Sequence, residues 1–276
     1  MPTELDILRR RGFTFDKARG QNFLVNPGVC PRMAQMCGVD KSCGVLEIGP
    51  GAGVLTRALA EVAGKVVAVE LDARLLPVLE ETLAGLENVT VMQGDILAMD
   101  LAALLEAHFG AMPVHVCANL PYYITSSIVM RLLESRLPLA NITVMVQKEA
   151  AQRLCAPMGT RACGAVTAAV RYYAEPRMLF PVARGSFYPV PNVDGAVLQL
   201  TPRDAPPVEV ADEAFFFRLI RAAFGQRRKT AANAVSAGLG MEKSRVQAAM
   251  ERAGISPAVR AENITLEEYA RLAGEL

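Results

Sequence analysis

Val45-Leu46-Glu47-Ile48-Gly49-Pro50-Gly51-Ala52-Gly53 is the stretch on which the fold turns. A short apolar run, interrupted by one carboxylate, meets three glycines at alternate positions, and apolar residues then recur at helical spacing over 54–63. That order spells strand, tight turn, helix. Working outward, the same alternation repeats. Strand-like runs stand at 66–70, 89–92, 114–117 and 142–146, with helical spacing at 73–84, near 101–108 and near 126–135. Near-continuous apolar strands separated by helices of 10 to 15 residues imply β-α-β units and a mostly parallel sheet covered on both faces. The expected fold class is α/β. From about 164 the pattern reads as strands without long helices, at 166–174 and 195–201, finishing the same sheet in antiparallel fashion. Pro202 and Pro206-Pro207 then suggest a linker, and 212–224, 229–238, 242–253 and 265–274 suggest a small helical domain. Residues 1–27 show no clear periodicity and read as an arm. The expected domains are thus 1–27, 28–203 and 208–276.

The chain has 276 residues, 52% of them hydrophobic and 21% charged, so it can bury a core and is neither a disordered tail nor a coiled coil. No apolar run is long enough to cross a bilayer, and the first residues do not resemble a signal peptide. The six cysteines contain no C-x-x-C pair, and His108 and His115 complete no ligand set, so no metal and no disulfide framework are expected. A cytosolic location follows. The net charge of +1 conceals an uneven distribution. Residues 43–106 hold ten acids against Arg57, Lys65 and Arg74; residues 145–190 hold six bases against two acids. Arg221, Arg227, Arg228 and Lys229 have no acid among them. Such clusters are commonly solvated helix faces and acquire an RNA-binding meaning only beside a matching site.

The glycine turn supplies the first part of that site. Gly49 and Gly51 allow a ligand to approach the backbone, and Glu70, 21 residues after Gly49 at the end of the next strand, can accept hydrogen bonds from both ribose hydroxyls. The fingerprint for a nicotinamide dinucleotide would need a third glycine at 54, where Val54 stands. Gly94-Asp95 adds a carboxylate at the same sheet edge, able to accept from an adenine amino group. S-adenosylmethionine, leaving S-adenosylhomocysteine as product, is therefore favoured over NAD. The reacting end is Asn119-Leu120-Pro121-Tyr122. An exocyclic adenine amine is a poor nucleophile because its lone pair is delocalised. An Asn119 side-chain oxygen and a Leu120 carbonyl, each accepting one N–H, would free that lone pair. Tyr122 offers a stacking face for an extruded base. Phe187, in Ser186-Phe187-Tyr188-Pro189-Val190-Pro191, is either the opposite wall of that base site or a core aromatic.

These residues resemble the family of small-subunit ribosomal RNA adenine dimethyltransferases. The resemblance runs through Gly20-Gln21-Asn22-Phe23-Leu24, Glu47 to Gly51, Glu70-Leu71-Asp72, Gly94-Asp95, Asn119 to Tyr122 and Gln147-Lys148-Glu149. It continues through Phe187-x-Pro189-x-Pro191-x-Val193-Asp194, Gln226-Arg227-Arg228-Lys229-Thr230 and Arg260-Ala261-Glu262-Asn263. It implies a Rossmann-like class I methyltransferase sheet with a helical C-terminal domain. It also implies that Asn22, Leu24, Gly49, Glu70, Asp95 and Asn119 contact the methyl donor, and that Tyr122 and Phe187 hold the base. The implied substrate is two adjacent adenosines in a hairpin loop near the 3′ end of small-subunit rRNA, each methylated twice within an assembling 30S particle. A monomer is expected, with the basic stretches on phosphates. Gly195 and Ala231-Ala232-Asn233 depart from the family's usual Ser and basic residue. The related large-subunit enzymes of macrolide resistance, a non-catalytic RNA-binding factor and an NAD oxidoreductase are the alternatives.

Overall fold

The computed structural model describes residues 4–14 and 22–276. Gly20 and Gln21 of the arm motif lie outside the described residues. Contacts divide the chain into two compact units: residues 1–151 with 177–202, and 152–176 with 203–276.

The first unit is built on a seven-stranded sheet in the order β4-β3-β2-β5-β6-β9-β7. Its parallel strands are β2 (Gly44–Ile48), β3 (Lys65–Glu70), β4 (Val89–Gln93), β5 (Val114–Asn119) and β6 (Leu139–Gln147). β9 (Gly195–Pro202) runs antiparallel to β6, and β7 (Ala174–Val182) closes the edge. Every residue of β2 is buried, which is why these strands read as unbroken apolar runs. The helices α3 (Val54–Val62), α4 (Leu76–Thr82), α5 (Leu101–Phe109) and α6 (Thr125–Glu134) make the crossovers. From β2 the chain steps outward to β3 and β4, then returns to β5 and continues to β6 on the other side. The reversal between β2 and β5 leaves a crevice at their carboxyl ends, the usual ligand position in such sheets.

The arm contains structure that periodicity does not announce. α1 (Glu4–Arg10) buries only Ile7 and Leu8, which join Leu75, Val78, Leu79 and Leu83 in one apolar cluster. Arg10 and Arg11 both pair with Glu81 of α4, Arg11 Nη2 at 2.9 Å. β1 (Phe23–Leu24) pairs antiparallel with β8 (Phe187–Tyr188), setting Leu24 opposite Phe187. α2 (Val29–Met36) packs on α3. α7 (Lys148–Cys155) follows β6 directly.

In the second unit, the segment 166–174, expected as a strand, lies almost wholly in a helix, α8 (Ala165–Tyr173). Its β-branched and aromatic residues suggest a strand, but three alanines and the Gly164 N–H bonded to Thr167 Oγ1 at 3.0 Å start a helix. Tyr172 and Tyr173 then pack against Phe216 and Phe217 of α9 (Glu213–Phe224), with both phenols on Glu213 at 3.0 and 2.7 Å. α10 (Ala231–Leu239), α11 (Lys243–Arg252) and α12 (Leu266–Glu275) complete the unit around the fully buried Tyr269. Gly238 permits α10 to touch α9, since a Cβ there would lie 2.6 Å from Ala222 Cβ. All six cysteines are free thiols. Among the described residues no helix is long and apolar enough to cross a membrane.

Candidate active site

The crevice at the ends of β2, β3 and β5 opens as a cleft. It gathers Asn22 and Leu24 from the arm, Gly49 and Gly51 from the turn, Glu70 from β3, and Asn119, Leu120 and Tyr122 from the tip of β5. Glu47, Asp72, Phe23 and Tyr123 line it as well, and the sequence reading gave none of them a role. A signal existed for two: Glu47 is the single carboxylate in an otherwise apolar strand, and Asp72 follows Glu70 by two residues.

The turn is shaped for a ligand. Gly49 has φ +68°, and a Cβ built there would meet nothing within 4 Å, so its backbone borders open space. Glu70 is 6% exposed; its Oε2 accepts the Gly51 N–H at 3.1 Å and its Oε1 the Asp72 N–H at 2.8 Å. Burial pushes the Glu70 carboxyl upward, and those two backbone donors oppose the shift. The carboxylate is thus held in a fixed orientation at the cleft wall.

Glu47 is fully buried, and neither carboxylate oxygen has a hydrogen-bond partner. The Thr56 hydroxyl faces it without hydrogen-bonding geometry. Burial, with a lesser contribution from the Glu70 charge, raises Glu47 to about 8. An acid whose folded value lies above its unfolded one stabilises the fold while protonated, so this contribution is complete below about pH 4.5 and is lost as pH rises towards 8. We expect Glu47→Gln to flatten the fall in donor-free stability between pH 5.5 and 8 by about 3 kcal/mol, measured by urea denaturation at each pH. Equal slopes for the two proteins would show that Glu47 does not titrate in that window.

At the tip of β5 the chain is fixed by its own backbone. The Leu120 N–H donates to Met145 O at 3.0 Å, and Pro121 O accepts from Ile124 N–H and Thr125 Oγ1 at 3.3 and 3.1 Å. Asn119 Nδ2 donates to Asn22 O at 3.4 Å. That bond uses one Asn119 N–H, and the residue lines the cleft. The Tyr122 hydroxyl is buried without a partner, and burial, then the Asp194 charge, pushes it to about 12. It is a neutral phenol at ordinary pH.

Other expected residues fall elsewhere. Phe187 is 1% exposed and sits in the core with Leu24, Met145 and Val197, not on the cleft. Asp95 is exposed just past β4, its Oδ1 accepting the Leu97 N–H at 2.9 Å, and it does not line the cleft. In the second unit Arg221, Arg228 and Lys229 are exposed, while Arg227 Nη2 donates to the Arg161 carbonyl at 2.8 Å and so has a structural partner. Among the described residues no group of three His, Cys, Asp or Glu side chains could hold a metal ion.

The chain can now be set beside known proteins. A family profile described as "Ribosomal RNA adenine dimethylase" matches residues 12–276. A protein named "Ribosomal RNA small subunit methyltransferase A" from Shouchella clausii is 45% identical over 98% of this chain and 92% of its own. Its namesake from Streptococcus sanguinis is 46% identical over 98% and 94%. Among solved structures, the 23S rRNA methyltransferase ErmE superposes with TM-score 0.69 at 29% identity, covering 92% of this chain and 99% of that one. A dimethyladenosine transferase from Plasmodium falciparum gives 0.74 at 24%, covering 91% and 95%, a likeness of fold. The sheet is the Rossmann-like sheet of class I methyltransferases. With the match spanning nearly its whole length, this chain belongs to the ribosomal RNA adenine dimethylase family.

Proposed function

We propose that this chain is a methyltransferase that uses S-adenosylmethionine to dimethylate the 6-amino groups of two adjacent adenosines near the 3′ end of small-subunit rRNA. The observation that carries the reading is Asn119, tied through Nδ2 to the arm and lining, beside Leu120 and Tyr122, the same cleft as Glu70. The small-subunit target rests on relatives at 45% and 46% identity that carry that name, against 29% for the 23S enzyme.

The residues present suit the donor. Glu70 and Asp72 bring carboxyl groups to the cleft wall, which favours a cation, and the open space over Gly49 leaves room for the donor's chain. Gly49, Gly51, Asn22 and Leu24 would hold it, with Glu70 on the ribose; Asp95, the expected adenine partner, stands outside the cleft lining. The bound donor supplies an electrophilic methyl group on positive sulfur. Asn119 Oδ1 and the Leu120 carbonyl each accept one N–H of the target amine, which localises its lone pair towards the cleft. Tyr122, a neutral phenol, stacks the base and takes no proton. Phe187, the expected second face, is buried in the core in this structure and does not line the cleft. Positioning in line supplies much of the rate.

In this reading the arm (1–27) and the sheet domain (28–203) carry the reaction, and residues 208–276 help to grip RNA through Arg221, Arg227, Arg228 and Lys229. Phosphate contacts there place the substrate, while base identity is read in the cleft. The chain acts in the cytoplasm as a monomer on an assembling 30S particle. The test is the mass of rRNA fragments after incubation with S-adenosylmethionine and undermethylated ribosomal particles. The expected result is four added methyl groups on one 3′ fragment of the small-subunit RNA. Methylation of the large-subunit RNA would move the assignment to the resistance enzymes, and no methylation of either would leave a binding factor.

A further inference from the structure

Six residues close a ring of contacts at the ribose end of the cleft. The Gly51 and Asp72 N–H groups both donate to the Glu70 carboxylate. Arg74 clasps the Asp72 carboxylate through Nε at 2.9 Å and Nη2 at 2.6 Å, with its own backbone N–H adding a third donor at 3.1 Å. The same guanidinium lies 5.1 Å from the centre of the Phe13 ring. Phe13 meets Phe23 edge to face at 5.9 Å and 88°. Phe23 in turn presses on Gly51, where a Cβ would come 3.1 Å from its ring. Gly51 has φ +60°, so both the ring and the backbone require glycine there. Phe23, Gly51, Glu70 and Asp72 line the cleft, whereas Arg74 and Phe13 do not.

We propose that Arg74 is a positioning residue for the methyl donor, fixing the Glu70–Asp72 turn on one side and holding Phe13, and through it the cleft-lining Phe23, on the other. The inference rests on the proposed use of S-adenosylmethionine. Its logic is geometric. Asp72 is nearly buried, so its orientation is set by the fork it accepts, and the Asp72 N–H shares the Glu70 carboxylate with Gly51. Helix α1 is anchored independently by Ile7, Leu8 and the Glu81 pairs, so loss of Arg74 would leave the helix docked and loosen only the ring.

The test is equilibrium dialysis of donor-free protein with labelled S-adenosylhomocysteine, alongside thermal melting and saturating-donor kinetics, for wild type, Arg74→Ala, Arg74→Lys, Phe13→Leu and the double variant Phe13→Leu/Arg74→Ala. Arg74→Ala should weaken binding about tenfold. Lysine should restore only part of that loss, because an ammonium cannot reproduce the fork. Phe13→Leu should add little once Arg74 is gone. The kcat at saturating donor should stay near wild type, and so should the donor-free melting temperature of Arg74→Lys, which keeps a positive charge beside the nearly buried Asp72. Wild-type affinity in Arg74→Ala overturns the proposal, as does an Arg74→Lys variant whose loss of affinity is matched by a fall in melting temperature, which would make the role structural. If wild type itself does not bind the probe, the reading of the cleft as a donor site fails first and this proposal falls with it.

Discussion

Asn119→Ala is expected to lower kcat by about 10²- to 10³-fold, the usual cost of deleting one preorganised group that acts mainly in the transition state. Donor affinity should change far less if, as proposed, the acceptor addresses the target amine. Asn119 has a second contact that sharpens the test: Nδ2 donates to Asn22 O at 3.4 Å. Asn119→Asp keeps an acceptor oxygen but loses that donor and places a carboxylate against a carbonyl. It should therefore retain more turnover than Asn119→Ala while binding the donor more weakly. Single-turnover methyl transfer with dialysis of the donor separates the two effects. If alanine leaves the rate intact, the tip of β5 does not activate the amine.

Phe187→Ala should cost about 3 to 5 kcal/mol of stability, measured by urea denaturation, because the ring is 1% exposed and its removal opens a cavity among Leu24, Met145 and Val197. The space cannot be refilled from Gly195, which has no side chain and lies against the ring edge. That loss alone would obscure any role towards the base. Phe187→Leu keeps most of the volume, should cost about 1 kcal/mol, and removes the aromatic face. If a base stacks on Phe187, the leucine variant should still lose about 1 to 3 kcal/mol in kcat/KM. Wild-type kinetics in the leucine variant would assign Phe187 to the core alone.

What could be read from the residues follows the physics of each signal. Strands β2, β3, β5 and β6 are largely buried on both faces, so they appear as apolar runs, and the carboxyl ends of β2, β3 and β5 carry Gly49, Glu70 and Asn119. The cleft was therefore legible as a set of sheet-edge motifs. α1 was not, because a seven-residue helix that buries two side chains leaves no period to detect. α8 was misread because a nine-residue apolar segment fits both periods until its cap and aromatic partners are known. The ring through Arg74 and Phe13 is invisible for another reason. It joins residues sixty positions apart through one cation-π contact and one aromatic edge, and neither leaves a pattern in the chain. The orphaned state of Glu47 is a property of its surroundings and has no local signature.

The reversal of strand order between β2 and β5 has a practical consequence. The walls assigned to the small molecule come chiefly from the chain before that reversal, at β1, β2 and β3, whereas the wall assigned to the nucleobase comes after it, at the tip of β5. Selectivity for one partner can therefore be rewritten without redesigning the other. Grafting a different loop between β5 and α6 is the natural route to an altered nucleobase preference with the donor compartment left intact.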